Sequence, residues 1–122
     1  MGNSEKLLII DDDQAFALIL VNHFSDRYNV KVAHDGDRAM ELLESFRPDI
    51  IILDYFLPKT TGDVLFEQIH SAHPETHVIV LSSNESSKTV VELVKLGVRE
   101  YVVKDDDAIS ELDRILEEGF DD

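Results

Sequence analysis

Four apolar runs in this chain end in groups that together can handle phosphate. Asp49 to Asp54 reads Asp-Ile-Ile-Ile-Leu-Asp and closes on Asp54. Lys6 to Ile10 leads into Asp11, Asp12 and Asp13, His77 to Leu81 into Ser82 and Ser83, and Glu100 to Val103 into Lys104. Crowded carboxylates repel one another unless some are protonated or a divalent cation sits among them. Hard oxygen ligands, few in number, suit Mg²⁺ (or Mn²⁺), with water and phosphate oxygens completing the shell. A carboxylate beside such a cation can attack phosphorus and form an acyl phosphate. A hydroxyl and an ammonium are then fitting partners for the new phosphoryl oxygens.

A run that is apolar at consecutive positions reads as a strand buried on both faces, as in a parallel sheet covered by helices. The carboxyl edge of such a sheet is where open α/β folds place their ligands. Helical spacing fills the gaps. Phe16, Ile19, Leu20, His23 and Phe24 mark a first helix, and Asn29 to His34 reads as a second strand. Gly36-Asp37 opens a helix with Ala39, Leu42, Leu43 and Phe46 on one face, closed ahead of Pro48. Pro58 to Gly62 reads as a loop, followed by a helix with Leu65, Ile69 and Ala72 inward that stops at Pro74. Ser86 to Leu96 forms the next, ended by Gly97. The last, about Ala108 to Glu118, buries Leu112, Ile115 and Leu116. Alternating strands and helices predict an α/β domain, and right-handed crossovers favour a doubly wound sandwich. The 122 residues are expected to form a single domain, residues 1–122.

Each group also has a plainer reading. Acids commonly cap helix N-termini, and Asp13 is expected to do so for the first helix. Asp54 could form a turn before Pro58, but an ionised carboxylate closing a buried strand needs partners. An Asp-x-Asp phosphatase nucleophile would require a second acid at position 56, which is Phe. His70, His73 and His77 imitate metal spacing, but Pro74 interrupts them and they are read as solvated. Val90, Val91 and Val94 cannot all face the core, which leaves apolar surface for a partner.

The chain resembles the receiver domain of two-component response regulators from about Lys6 to Gly119. The resemblance rests on Leu8 to Asp13, Leu53 to Pro58 with Gly62, Leu81 to Ser83, Gly97, and Tyr101 to Lys104. It implies a flavodoxin-like (βα)5 doubly wound sandwich with a five-stranded parallel sheet of order 2-1-3-4-5. It implies Asp54 as phosphoacceptor, and Asp11, Asp12, Asp54 and the Phe56 backbone carbonyl as the protein's share of a Mg²⁺ shell. Ser82 becomes the switch hydroxyl, with Ser83 the small residue beside it. Lys104 becomes the phosphoryl-binding lysine and Tyr101 the aromatic switch. The implied function is a phosphoacceptor signalling switch, phosphorylated from a histidine kinase phosphohistidine. The alternative is a receiver-fold binding module that works without phosphate. No enzyme activity is implied beyond autocatalytic phosphoryl transfer and autodephosphorylation. The implied partners are a sensor histidine kinase or phosphotransfer protein and a downstream effector, or an output domain absent from this chain; phosphorylation-dependent homodimerisation is a further expectation.

The sequence departs from the family in places. Asp105 stands where proline usually follows the lysine, so a trans Lys104–Asp105 bond is expected, since a non-prolyl cis bond costs about 2.5–4 kcal/mol. Phe56, Thr60 and Thr61 also differ from the commonest residues, and bulky Phe56 with Asn84 bears on water access to an acyl phosphate.

Composition limits the partners. The formal charge is −15, and from Lys104 onward nine acidic residues face two basic ones. Such a field repels nucleic acid and anionic membrane surfaces. No apolar run approaches the roughly 20 residues of a membrane helix, and residues 1–6 lack a signal-peptide core. Gly2 suggests myristoylation, but Lys6 stands where that motif wants Ser or Thr. With no cysteine there is no disulfide or thiolate site, and a cytoplasmic address is expected.

Overall fold

The computed structural model describes residues 5–83 and 86–120, so the expectations for Gly2 and Asn84 lie outside the described residues. In chain order the elements are β1 (Lys6–Ile10), α1 (Gln14–Phe24), β2 (Asn29–Ala33), α2 (Gly36–Ser45), β3 (Ile50–Asp54), β4 (Phe56–Leu57), β5 (Thr60–Thr61), α3 (Gly62–Ala72), β6 (His77–Ser82), α4 (Ser87–Leu96), β7 (Glu100–Val103) and α5 (Ala108–Glu118). The main sheet is parallel, in the order β2-β1-β3-β6-β7. This is the expected 2-1-3-4-5 order, with one addition. Where a loop was expected, β4 and β5 form a small antiparallel hairpin, Phe56 opposite Thr61.

Alternation between two covered faces explains why β1, β3 and β6 are apolar at consecutive interior positions. Leu8, Ile10, Ile51, Leu53 and Val80 face one layer, where they pack with Leu42, Leu43, Leu65, Phe66, Ile69 and Leu93 from α2, α3 and α4. Leu7, Ile9, Ile50, Ile52, Ile79 and Leu81 face the other, against Ala17, Leu20 and Phe24 of α1 and Leu112 and Ile115 of α5. Burying each such side chain contributes about 1.5–3 kcal/mol.

Two helices sit differently from their periodicity. In α1 the buried residues are Ala17, Leu20 and Phe24, while Ile19 is 51% exposed. Ala15 to Val21 is apolar all round, so the local pattern does not define an inward face; docking on the sheet does. In α3 the inward set is Leu65, Phe66 and Ile69, and Ala72 is exposed in the last turn before the chain breaks at Pro74. Leu116 of α5 is partly rather than fully buried.

Two of the histidines, His73 and His77, need a correction too, while His70 is exposed as expected. His73 is not solvated: its side chain is 12% exposed and its Nε2 lies 2.8 Å from Glu44 Oε2. His77 stacks on Phe120 with ring centroids 4.2 Å apart, and exposed His70 stacks on Phe66. Among the described residues the three histidines do not form a metal-ligand cluster, and each has an aromatic or carboxylate neighbour.

Candidate functional site

Strand register brings the chemical groups together. Ile10 pairs with Leu53, so Asp11 and Asp54 lie side by side at the carboxyl edges of adjacent strands. Asp54 pairs with Leu81, and Ser82 with Val103. The backbone ladder continues one step beyond the strands. The N–H of Asp11 donates to Ala33 O at 3.0 Å, that of Tyr55 to Leu81 O at 2.9 Å, and that of Lys104 to Ser82 O at 2.9 Å. Short main-chain bonds therefore fix the point from which each side chain departs.

Asp11, Asp54 and Ser82 are 1%, 5% and 0% exposed, and they are the buried polar residues among those described. All three stand at this one edge, a concentration that packing does not require. Asp12 is exposed at its rim. One carboxylate oxygen each from Asp11, Asp12 and Asp54 fall within 4.8 Å of one another. Lys104 Nζ lies 3.0 Å from Asp11 Oδ2 and 3.7 Å from Asp54 Oδ2. The second oxygen of Asp11 accepts from the Asp13 N–H at 2.9 Å, and Asp54 Oδ1 accepts from the Phe56 N–H at 3.4 Å. Asp13 turns away, as expected, and accepts from the Phe16 N–H at 3.1 Å to cap α1.

Charge in the site is unbalanced. Burial and the nearby Asp11 push the Asp54 carboxyl up to about 7, and Lys104 only partly opposes them. Burial pulls the Lys104 ammonium down, but Asp11, Asp54 and Asp13 outweigh it and leave the pKa raised. Two buried acids thus share one cation. A hard divalent cation between the three carboxylates would supply the missing positive charge, and the donor set fits it.

Tyr101 lies within β7. It pairs with Val80 within the sheet, is half-buried, and packs on the α2–α4 side of the core. Tyr55, which sequence reasoning passed over, lies near it. Burial and the charges of Asp63, Glu92 and Tyr101 raise the Tyr55 hydroxyl, and its ring meets Phe56 edge-on at 4.9 Å. Phe16 was counted only as a core position, yet its ring centroid lies 4.6 Å from Lys104 Nζ. Gly62 was singled out only by the motif; its physical reason is space. A Cβ there would lie 2.7 Å from Tyr55 Cα, and its N–H donates to Tyr55 O at 2.6 Å. This close approach holds the end of the hairpin against the backbone of Tyr55. The Lys104–Asp105 bond is trans, as are the other described peptide bonds.

The family profile described as the response regulator receiver domain matches residues 7–116. The chain belongs to that family. As a receiver domain of two-component response regulators it is 33% identical to "Regulator of RpoS" of Escherichia coli (strain K12) over 117 residues. That match covers 95% of this chain and 34% of the relative, so the chain spans about a third of its length. The Francisella response regulator 1452 receiver domain is 29% identical with a TM-score of 0.76, over 83% of this chain and 84% of that one. Vibrio cholerae chemotaxis protein CheY4 superposes with a TM-score of 0.87 over 97% of this chain and 100% of that one. Its identity is 24%, so that likeness is one of fold.

Proposed function

We propose that this receiver domain is a phosphorylation-controlled switch with Asp54 as acceptor. The observation that carries this reading is the placement of Asp54, buried among the Asp11 and Asp12 oxygens within 4.8 Å and with Lys104 Nζ at 3.7 Å. Asp11, Asp12, Asp54 and the Phe56 carbonyl would hold Mg²⁺, or Mn²⁺ in its place. When bound, that ion offsets the negative charge of the carboxylates and of the incoming phosphoryl oxygens. An Asp54 oxygen attacks phosphorus, forming the Asp54 O–P bond as the P–N bond to a donor histidine breaks and the imidazole leaves. Lys104, already beside Asp54, takes one phosphoryl oxygen, and the Ser82 hydroxyl takes another. The added charge biases a two-state equilibrium that exists without it.

The readout reaches a partner through α4, where Val91 and Val94 are 50% and 60% exposed. Tyr101 of β7, beside α4 in the fold, is the switch residue that moves with Ser82. The donor is a sensor histidine kinase or a phosphotransfer protein, and the receiver of the signal is an effector, an output domain or a second copy of the chain. The −15 charge favours such protein partners over nucleic acid. Among the described residues no helix is long and apolar enough to cross a membrane.

Intact-mass spectrometry after incubation with acetyl phosphate tests the reading. A phosphate adduct is expected that needs Mg²⁺ and is lost in Asp54→Ala. Absence of any adduct alongside a positive-control receiver would favour a binding module independent of phosphate.

A further inference from the structure

Resting on the phosphoacceptor reading above, we propose that Phe16 is a positioning residue, its ring forming the third wall of a cage that holds the Lys104 ammonium for the phosphoryl group. The cage has two acidic walls, Asp11 Oδ2 at 3.0 Å and Asp54 Oδ2 at 3.7 Å. The third is aromatic, with Nζ 4.6 Å from the Phe16 centroid. A ring face attracts a cation within about 6 Å of its centroid, and more strongly where water is excluded.

The geometry matters because lysine is a point charge on a flexible stem. Two carboxylates on one side give the ammonium two competing seats. The ring attracts across a surface instead of at a point. It therefore supports Lys104 beside Asp11 and also after the short move toward Asp54 that new phosphoryl oxygens require. Backbone bonds do not do this. After Lys104 the Asp105 N–H donates to Val103 O and the Asp107 N–H to Asp105 Oδ1, both at 2.9 Å, which orders the loop but leaves the lysine stem to its neighbours.

Phe16 is itself anchored. Its N–H donates to the Asp13 cap at 3.1 Å, and its half-buried ring packs on the α1–α5 side of the core. Asp13 lies outside the trio of clustered carboxylates, yet it fixes the helical turn that presents this ring. A leucine at position 16 would satisfy packing and capping alike; only the cage needs an aromatic.

The test uses the chain labelled at lysine Cε and Nζ, with Lys104→Met assigning the Lys104 signals. Ring-current displacement of the Lys104 ε-protons is expected in the wild type and in Phe16→Trp, and its loss in Phe16→Leu. With acetyl phosphate and Mg²⁺, Phe16→Leu should slow the saturating rate about three- to tenfold, with the half-saturating donor concentration within about twofold. Phe16→Trp should stay within about twofold of wild type. In the Lys104→Met background, Phe16→Leu should change the rate by less than about twofold, because the ring acts through the lysine. Should leucine not be tolerated, Phe16→Met replaces it.

The proposal is overturned if the wild-type ε-protons show no displacement, or if Phe16→Leu slows the Lys104→Met chain as much as the wild type. A wild-type chain that takes no phosphate would sink the phosphoacceptor reading and, with it, a phosphoryl role for Phe16. The displacement and its loss in Phe16→Leu would separate that result from a cage that does not exist.

Discussion

Lys104 and Asp11 meet across the sheet: their side chains bond at 3.0 Å although 93 positions separate them in sequence and β3 and β6 lie between their strands. Only a long side chain can span that distance. The tightest partner of the lysine is thus an acid of the clustered trio, while Asp54 is its looser neighbour at 3.7 Å.

Replacing Lys104 by Met removes the one cation held between two buried acids. Unpaired buried charge is costly, and the partial exposure of the lysine moderates the loss, so a destabilisation of about 1–3 kcal/mol is expected. Urea unfolding without divalent cations measures it, and added Mg²⁺ should restore part of the loss in this variant.

Asp54→Asn relieves repulsion with Asp11 while keeping an acceptor for the Phe56 N–H. In Mg²⁺-free buffer near pH 8, its melting temperature should exceed that of the wild type by about 3–8 °C. Millimolar Mg²⁺ should raise the wild type and narrow the gap. A variant no more stable than wild type in Mg²⁺-free buffer would show that the acids are less strained than their burial implies.

Gly62→Ala places a methyl 2.7 Å from Tyr55 Cα, against backbone that cannot rotate away. Overpacking of this kind costs about 1–3 kcal/mol. Amide exchange should quicken at Tyr55 to Gly62 and in the first turn of α3, while β1 and β2 stay protected.

Acid should release the lock between α1 and α5. Burial pushes the Asp113 carboxyl up, but hydrogen bonds from Arg27 at 3.0 Å and His23 at 2.9 Å outweigh it and hold it below its ordinary value. A depressed carboxyl stabilises the fold above its unfolded pKa, and that stability is lost as pH falls through its folded pKa. Asp113→Asn should therefore be less stable than wild type at pH 6–7 by under about 1 kcal/mol, and the gap should close below about pH 4. Denaturant midpoints across that range check the sign.

The chemistry was legible where it coincides with strand ends. Asp11, Asp54, Ser82 and Lys104 each terminate a run whose burial on both faces shows in its composition, and a parallel sheet aligns such ends by construction. Capping by Asp13 could be read from a span of three residues. The face of α1 could not, because its apolar residues surround the helix. The close approach at Gly62 was equally hidden, since a glycine motif states no neighbour. For His73, the interruption at Pro74 led to an expectation of exposure, yet Glu44, from a different helix, pairs with it.

The sequence by itself determined the alternation of buried strands and helices, the acids, hydroxyl and lysine at one sheet edge, and the family. These rest on hydrophobic periodicity and main-chain geometry, which act over a few residues. Tertiary structure alone decided that Lys104 leans on Asp11 and Phe16, that Tyr101 lies near Tyr55, and that β4 and β5 close as a hairpin against Gly62. Those contacts depend on strand order and helix rotation, which are set when distant segments compete to fill the same space, and no local pattern records that outcome.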